Sequence, residues 1–336
     1  MKISIVLPAY NAEAHLAEAL DSVLDQTEPD FEIVAIDDGS TDSTARLIDQ
    51  AALADRRVKP IHTSHQGLVA ALNRGLAEAQ GEYVARMDAD DIAYPNRLRV
   101  QHEILERRPE LGLIGCRVDY LGDPQRNRGL ALFVEWTNSL VEPEAISLGR
   151  FVESPLIHPS VMFRRELVGR YGGYRDGPFP EDYELWLRWL EAGVGMAKTG
   201  QALLGWRDRP ARLTRTDPRY SVDAFFGAKA PYLERWLASN NRHHPETIIW
   251  GAGRTSRLRL RFLTDLGVRV RAFVDIDPKK IGQRIGDVAV LAAEDLPSPD
   301  ECFVLGWVAS RGARARITGV LRAGGFTLGR NFLLAA

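Results

Sequence analysis

The sequence predicts an α/β protein, with a mixed, mostly parallel sheet flanked by helices and a smaller α/β domain after it. Three observations carry this. Short apolar runs at 3–7, 31–36, 58–62 and 83–87 alternate with stretches of helical periodicity, the pattern of strands joined by crossover helices. Two of the four runs end in acids, at Asp37-Asp38 and at Asp88-Ala89-Asp90-Asp91. The carboxyl ends of such strands are where open sheets bind ligands. Finally, a Gly-x-Gly turn at Gly251-Ala252-Gly253 opens a new strand–helix–strand run near the end of the chain.

Taken in order, residues 3–7 form the first strand and Pro8-Ala9-Tyr10-Asn11 its turn. The next helix places Leu16, Leu20, Val23 and Leu24 on one face. Phe31 to Ile36 is a strand that stops at Asp37-Asp38-Gly39-Ser40-Thr41-Asp42. There Gly39 permits a sharp turn, and Ser40 or Thr41 caps the helix carrying Leu47, Ile48 and Ala51. Val58 to His62, Gln66-Gly67-Leu68 with a helix through Ala79, and Tyr83 to Met87 complete this half, before Tyr94-Pro95 starts a new helix. Leu111 to Tyr120 and Leu156 to Phe163 read as strands, Gly172-Gly173-Tyr174 as a turn, and Asp182 to Glu191 as a helix. Residues 216–245 read as a helical linker ending in a polar run. Thr247 to Trp250, a helix through Leu266 and Val268 to Val274 then form the last domain.

With 336 residues, 45% of them hydrophobic and 26% charged, the chain is long enough for two domains with a sizeable core. A net charge of -2 gives no hint of nucleic acid as a partner. Cys116 and Cys302, both in apolar runs, read as buried free thiols of a reducing compartment. The apolar run before Pro8 is too short for a signal peptide, and no stretch approaches the ~18 apolar residues of a membrane span. A cytoplasmic protein is the expectation.

The chemistry concentrates at Arg86-Met87-Asp88-Ala89-Asp90-Asp91. Three acids at a strand end repel one another and lose hydration, so a cation belongs among them. Mg²⁺ or Mn²⁺ takes one or two carboxylates together with substrate phosphates. An acidic first turn on the next helix is the plain alternative. Arg86 has two readings, reaching a diphosphate or pairing with a neighbouring Asp.

These segments, with Asn73-Arg74-Gly75, Pro95-Asn96-Arg97-Leu98, His158-Pro159-Ser160-Val161-Met162 and Glu181-Asp182-Tyr183-Glu184-Leu185-Trp186-Leu187, occur in the order found in family-two glycosyltransferases. Residues 1–215 resemble that family, with its nucleotide-sugar-binding fold. The resemblance implies a donor half at 1–100 and an acceptor half at 101–215. It implies that Pro8, Ala9, Tyr10, Asn11, Asp38 and Gly67 surround the nucleotide, that Asp88 faces the ribose and that Asp90 binds the metal beside Ala89. It makes Asp182 the base for the acceptor hydroxyl, with Glu181 beside it, in an inverting single-sugar transfer. UDP is the expected nucleotide and a saccharide or lipid-linked hydroxyl the acceptor. Peripheral association with a membrane stays open.

Relatives carry a further metal-site histidine near a Tyr-Arg-x-His sequence, where this chain has Trp206-Arg207-Asp208-Arg209. Asp208, His158 or water are the candidates for that place, and Arg207, Arg209, Arg212 and Arg215 form either a loop over a diphosphate or a solvated basic face. Residues 246–336 resemble the small Rossmann-like domains fused to some sugar-modifying enzymes. Gly251, Gly253 and, about 20 residues on, Asp275 are laid out as in a dinucleotide site, but Ser256 stands at the third glycine position. Nucleotide binding and a structural or dimerising role both remain open for it. Two other functions stay in view, a non-catalytic sugar-nucleotide sensor and a bifunctional enzyme with an NAD-binding last domain.

Overall fold

The computed structural model describes residues 2–210 and 212–336, with every side chain among them except that of Arg311. The chain divides into two compact units, Met1–Ser147 with Pro155–Asp217, and Leu148–Ser154 with Pro218–Ala336.

The first unit holds a mixed eight-stranded sheet. Its strands are β1 (Ile3–Ala9), β2 (Phe31–Asp37), β3 (Val58–His62), β4 (Tyr83–Arg86), β5 (Ile92–Ala93), β6 (Leu111–Leu121), β7 (Met162–Arg164) and β8 (Gly195–Arg207), in the order β3-β2-β1-β4-β7-β6-β8-β5. β1 pairs in parallel with both β2 and β4, whereas β7 is antiparallel to β4 and β6. Every residue of β1 and β2 is buried, as central parallel strands covered on both faces require. β3, at the edge, tolerates Pro60.

Helices α1 (Leu16–Leu24), α2 (Thr44–Ala54), α3 (Leu68–Glu78), α4 (Arg97–Arg107), α5 (Arg128–Ser139), α6 (Pro143–Gly149), α7 (Glu166–Tyr171), α8 (Glu181–Glu191) and α9 (Leu213–Thr216) follow in chain order. Alternation along β1 feeds two cores. Ile3, Ile5 and Leu7 pack with Leu16, Leu20 and Leu98, whereas Val6 packs with Leu72, Leu76, Trp186 and Trp189. β1 leads to β2 on one side while β4 lies on the other. The strand order therefore switches sides between β1 and β4, the place where ligands enter such sheets.

The sequence pattern predicts one strand from Leu156 to Phe163, but the structure replaces most of it. Pro159 sits in a short 3₁₀ turn, His158–Ser160, and only Met162–Arg164 joins the sheet. A proline donates no ladder hydrogen bond, so the apolar run cannot pair over its length.

The second unit carries a six-stranded sheet in the order β11-β12-β10-β9-β13-β14. Its strands are β9 (Glu246–Trp250), β10 (Arg269–Val274), β11 (Arg284–Ile285), β12 (Val288–Leu291), β13 (Val304–Gly306) and β14 (Phe332–Leu334), with helices α10 (Val222–Asn240), α11 (Arg254–Thr264) and α12 (Arg311–Ala323). α10, which the sequence pattern sets apart as a linker, folds as part of this unit. Cys116 and Cys302 are buried and unpaired. No helix among the described residues is long and apolar enough to cross a membrane.

β1, β2 and the turn before β4 are tied by one buried polar group. The Ser4 hydroxyl donates to Glu32 Oε1 at 2.6 Å and accepts the Gly81 N–H at 2.8 Å, where both residues sit out of water. Replacing Ser4 by Ala strips the Gly81 amide of that acceptor and removes a donor to a buried carboxylate. The expected cost is about 1–3 kcal/mol, read as a lower midpoint in urea with an unchanged slope.

Candidate active site

The end of β2 builds the first wall of the site. Asp38 directs both carboxylate oxygens into the following loop, accepting the Gln66 N–H at 2.9 Å on Oδ1 and the Gly67 N–H at 2.8 Å on Oδ2. His65 Nδ1 lies 2.9 Å from Oδ2. Gly39 makes this closure possible, since it sits at φ +70° and a Cβ there would lie 2.5 Å from the His65 nitrogen. Asp37 accepts the Ser40 N–H at 3.1 Å and braces the same turn. Gly67, at φ +91°, is the N-cap of α3.

Pro8 and Ala9 pair with Ile36 and Asp37 at the ends of β1 and β2, and Asn11 accepts the Thr41 N–H at 2.9 Å. Tyr10 is 46% exposed and stacks on His65, with ring centroids 4.0 Å apart and planes 21° from parallel. The result is an open aromatic shelf beside the switch point between β1 and β4.

The acids after β4 form the second wall. Asp88, Asp90 and Asp91 each offer an oxygen, and these oxygens lie within 4.8 Å of one another. Ala89, between the first two, is buried. Arg86 is buried beneath them, its guanidinium 2.5 Å from Asp88 Oδ1. Arg209 Nε lies 2.5 Å from Asp90 Oδ2. Asp91 is almost wholly enclosed. Its Oδ1 accepts the Arg207 N–H at 2.8 Å, and its Oδ2 has no partner. Burial, followed by the Asp88 carboxylate, raises Asp90; burial, then Asp88 and Asp90, lifts Asp91 well above the carboxylate range. Such a cluster fits a hard cation, with one buried oxygen still to be satisfied.

The basic stretch after β8 closes over this group. Arg207 Nε donates to the Asp90 carbonyl at 2.8 Å and its far nitrogen to Glu18 at 2.6 Å. Arg212 stacks its guanidinium 4.0 Å over the Trp206 ring. Asp208 is turned elsewhere, accepting from the Tyr120 hydroxyl at 2.6 Å, Asn127 at 2.9 Å and Arg215 at 2.9 Å. His158 also lies outside the acid group. Its Nε2 is 2.7 Å from the Tyr174 hydroxyl, and burial, then the charge of Arg86, holds it well below the usual imidazole range.

The third wall is the start of α8. Pro180 precedes it, and Glu181, Asp182 and Glu184 fill the first turn, where the helix dipole favours negative charge. Glu181 is buried. Asp182 keeps part of its surface open, and its Oδ1 accepts the Tyr183 N–H at 2.7 Å. Burial, then the Glu181 carboxylate, pushes Asp182 up to about 8, while Arg86 draws it down and Asp88 pushes it further up. Asp182, Arg86 and Asp88 therefore share one electrostatic environment.

Spacing gives no signal for His65, Tyr174 or Glu18, which reach the site through the fold alone. Asp91 and Arg209 are visible as members of charged runs, but their partners, Arg207 and Asp90, each lie more than a hundred residues away in the chain. In the second unit, Asp275 accepts the Ala252 N–H at 3.1 Å and the Asp277 N–H at 3.0 Å and pairs with Lys280 at 3.1 Å. Its carboxylate is thus engaged by the turn between Gly251 and Gly253 and by that lysine.

Comparison with known proteins agrees with this geometry. The family model described as Glycosyl transferase family 2 matches residues 4–172. The protein named "Putative glycosyltransferase EpsE" of Bacillus subtilis (strain 168) is 33% identical over 227 residues, 66% of this chain and 78% of its own length. Glycosyltransferase GlyG of Streptococcus pneumoniae serotype 4 is 34% identical over 119 residues, 35% of this chain and 40% of its own. The first-named relative aside, this chain spans 15 to 65% of the length of the curated relatives it matches. Among solved structures, S. aureus TarS 1-349 in complex with UDP-GlcNAc superposes with a TM-score of 0.56 at 18% identity, over 79% of this chain and 71% of that one. With half its length matched by the family model and its acids gathered at the sheet's switch point, the chain belongs to glycosyl transferase family 2.

Proposed function

We propose that this protein transfers a single sugar, with inversion and dependence on a divalent metal, from a nucleoside-diphosphate sugar to a hydroxyl of a saccharide or lipid-linked acceptor. The observation that carries the proposal is a pair of acid groups that sense one another. Asp88, Asp90 and Asp91 gather after β4, and the Asp182 carboxyl at the start of α8 feels the charge of Asp88. The orphaned oxygen of Asp91 and the raised Asp90 and Asp91 carboxyls fit Mg²⁺ or Mn²⁺. Held by these three residues, the ion would offset the charge that develops on the departing diphosphate.

The rest falls to the chain's own side chains. Tyr10, backed by His65, offers a flat face for a pyrimidine base. The choice of UDP rests on fold-level analogy with the TarS complex. Arg86, paired with Asp88, draws the Asp182 carboxyl toward its ionised form against the effect of burial. Asp182 takes the proton of the acceptor hydroxyl as its oxygen bonds to the anomeric carbon and the bond to the diphosphate breaks. Displacement from the opposite face inverts that carbon, and no covalent enzyme intermediate is needed. Transfer for a cell-surface polysaccharide or glycoconjugate suits such an acceptor.

Calorimetric titration of UDP, GDP and dTDP with Mn²⁺, repeated with chelator, tests the donor half. One nucleotide is expected to bind only with metal, and Asp90→Ala to weaken that binding at least tenfold. Binding that ignores the chelator and the substitution overturns metal dependence.

Asp182 tests the acceptor half. A base must be ionised, and its carboxyl titrates near 8, so kcat/KM in the free enzyme is expected to rise about tenfold per pH unit below that value and level off above it. Asp182→Asn is expected to keep nucleotide affinity and to lose transfer by about a thousandfold or more, with the pH slope gone. An Asn variant that transfers at the normal rate refutes the assignment.

A further inference from the structure

The two units differ in charge. Residues 1–217 hold 25 Lys and Arg against 34 Asp and Glu, whereas residues 218–336 hold 18 against 11. Within the basic unit, α11 and α12 each carry four arginines and no acid. On α11 these are Arg254, Arg257, Arg259 and Arg261. Its inner side is accounted for, with Leu260 and Leu263 buried and Arg259 turned toward α10, where it meets Asp223 at 3.4 Å.

The outer side is different. Arg254, Arg257, Leu258 and Arg261 follow the spacing of a single helical stripe and all are exposed, Leu258 by 60%. Among the described residues none of these three arginines makes an ion pair. The nearest feature is the Phe262 ring, 5.2 Å from the Arg261 guanidinium.

This stripe opposes the helix that bears it. Like charges at i, i+3 and i+4 repel, and arginine in the first turn faces the positive end of the helix dipole. Among the described residues no ion pair on this face offsets either effect, which leaves these arginines free to meet anions from outside the unit. Leu258, amid the arginines, adds an apolar point to the cationic face. Interfacial helices combine charge and leucine in this way at anionic bilayers. A single-stranded nucleic acid calls for aromatic stacking platforms. The large exposed hydrophobic side chains of this unit are all aliphatic among the described residues.

We infer that the outer face of α11, formed by Arg254, Arg257, Leu258 and Arg261, docks the protein on an anionic lipid surface. Contact is peripheral, with the arginines at the headgroups and Leu258 touching the acyl boundary. The inference stands independently of the donor chemistry. It would hold this enzyme where a lipid-linked acceptor resides.

The test is sedimentation of the full chain with phosphatidylcholine vesicles, with or without about one-third phosphatidylglycerol, at low and high salt. Binding is expected only to the anionic vesicles and is expected to fall steeply with salt. With each arginine near the surface contributing about a factor of five, the triple variant Arg254→Gln, Arg257→Gln, Arg261→Gln is expected to bind about a hundredfold more weakly. The matching triple Lys variant is expected to keep most of the binding, and both are expected to bind nucleotide as the unaltered protein does. Equal binding to neutral vesicles, full binding by the Gln variant, or capture by a soluble polyanion with none by vesicles would overturn the inference.

Discussion

Beneath the acids of the first unit lies a guanidinium almost sealed from water. Arg86 touches Asp88 at 2.5 Å, and its charge is felt at Asp182 and His158. A buried cation is costly unless it is paired and hydrogen-bonded. A second buried arginine helps to fix its strand, since Arg97 donates to the Arg86 carbonyl at 2.5 Å and meets the Met87 sulfur at 3.3 Å. That positive charge draws the Asp182 carboxyl down against burial and the neighbouring carboxylates, so without it Asp182 would be harder still to ionise. The imidazole of His158 is held neutral by the same arrangement, which suits it to hydrogen bonding with Tyr174 more than to carrying charge.

Arg209 offsets part of the repulsion within the acid group. Its ion pair with Asp90 places a positive group among three carboxylates. The basic stretch that follows β8 thus has one foot on the acids, while Arg207 bridges the Asp90 carbonyl and Glu18.

The donor half was legible in the sequence because its information is local. Strand runs, turns and acids at 3–7, 31–42 and 83–91 follow one another at short range, and period and turn chemistry suffice to place them. The stretch from Leu156 to Phe163 was not legible in the same way, since an apolar run reads as strand until Pro159 is seen to turn it. β8 pairs with β6 across some eighty residues, and the contact of Arg207 with Asp91 closes an even longer loop. No pattern within either segment announces its partner. Asp38 illustrates the limit for side chains. Its position after a strand marks it as a site residue, but only the fold reveals that both of its oxygens accept amides from the loop at 66–67.

Pro60 in the edge strand has a consequence of its own. Thr63 donates its N–H to Asp37 of the neighbouring strand, so by alternation the nitrogen of Pro60 faces away from the sheet. A free edge normally presents a row of amide donors to which any extended segment can zip. Here the row is broken in its middle by a nitrogen that has no hydrogen to give. The open margin of the large sheet is thereby closed to strand addition, which guards against aggregation along that side.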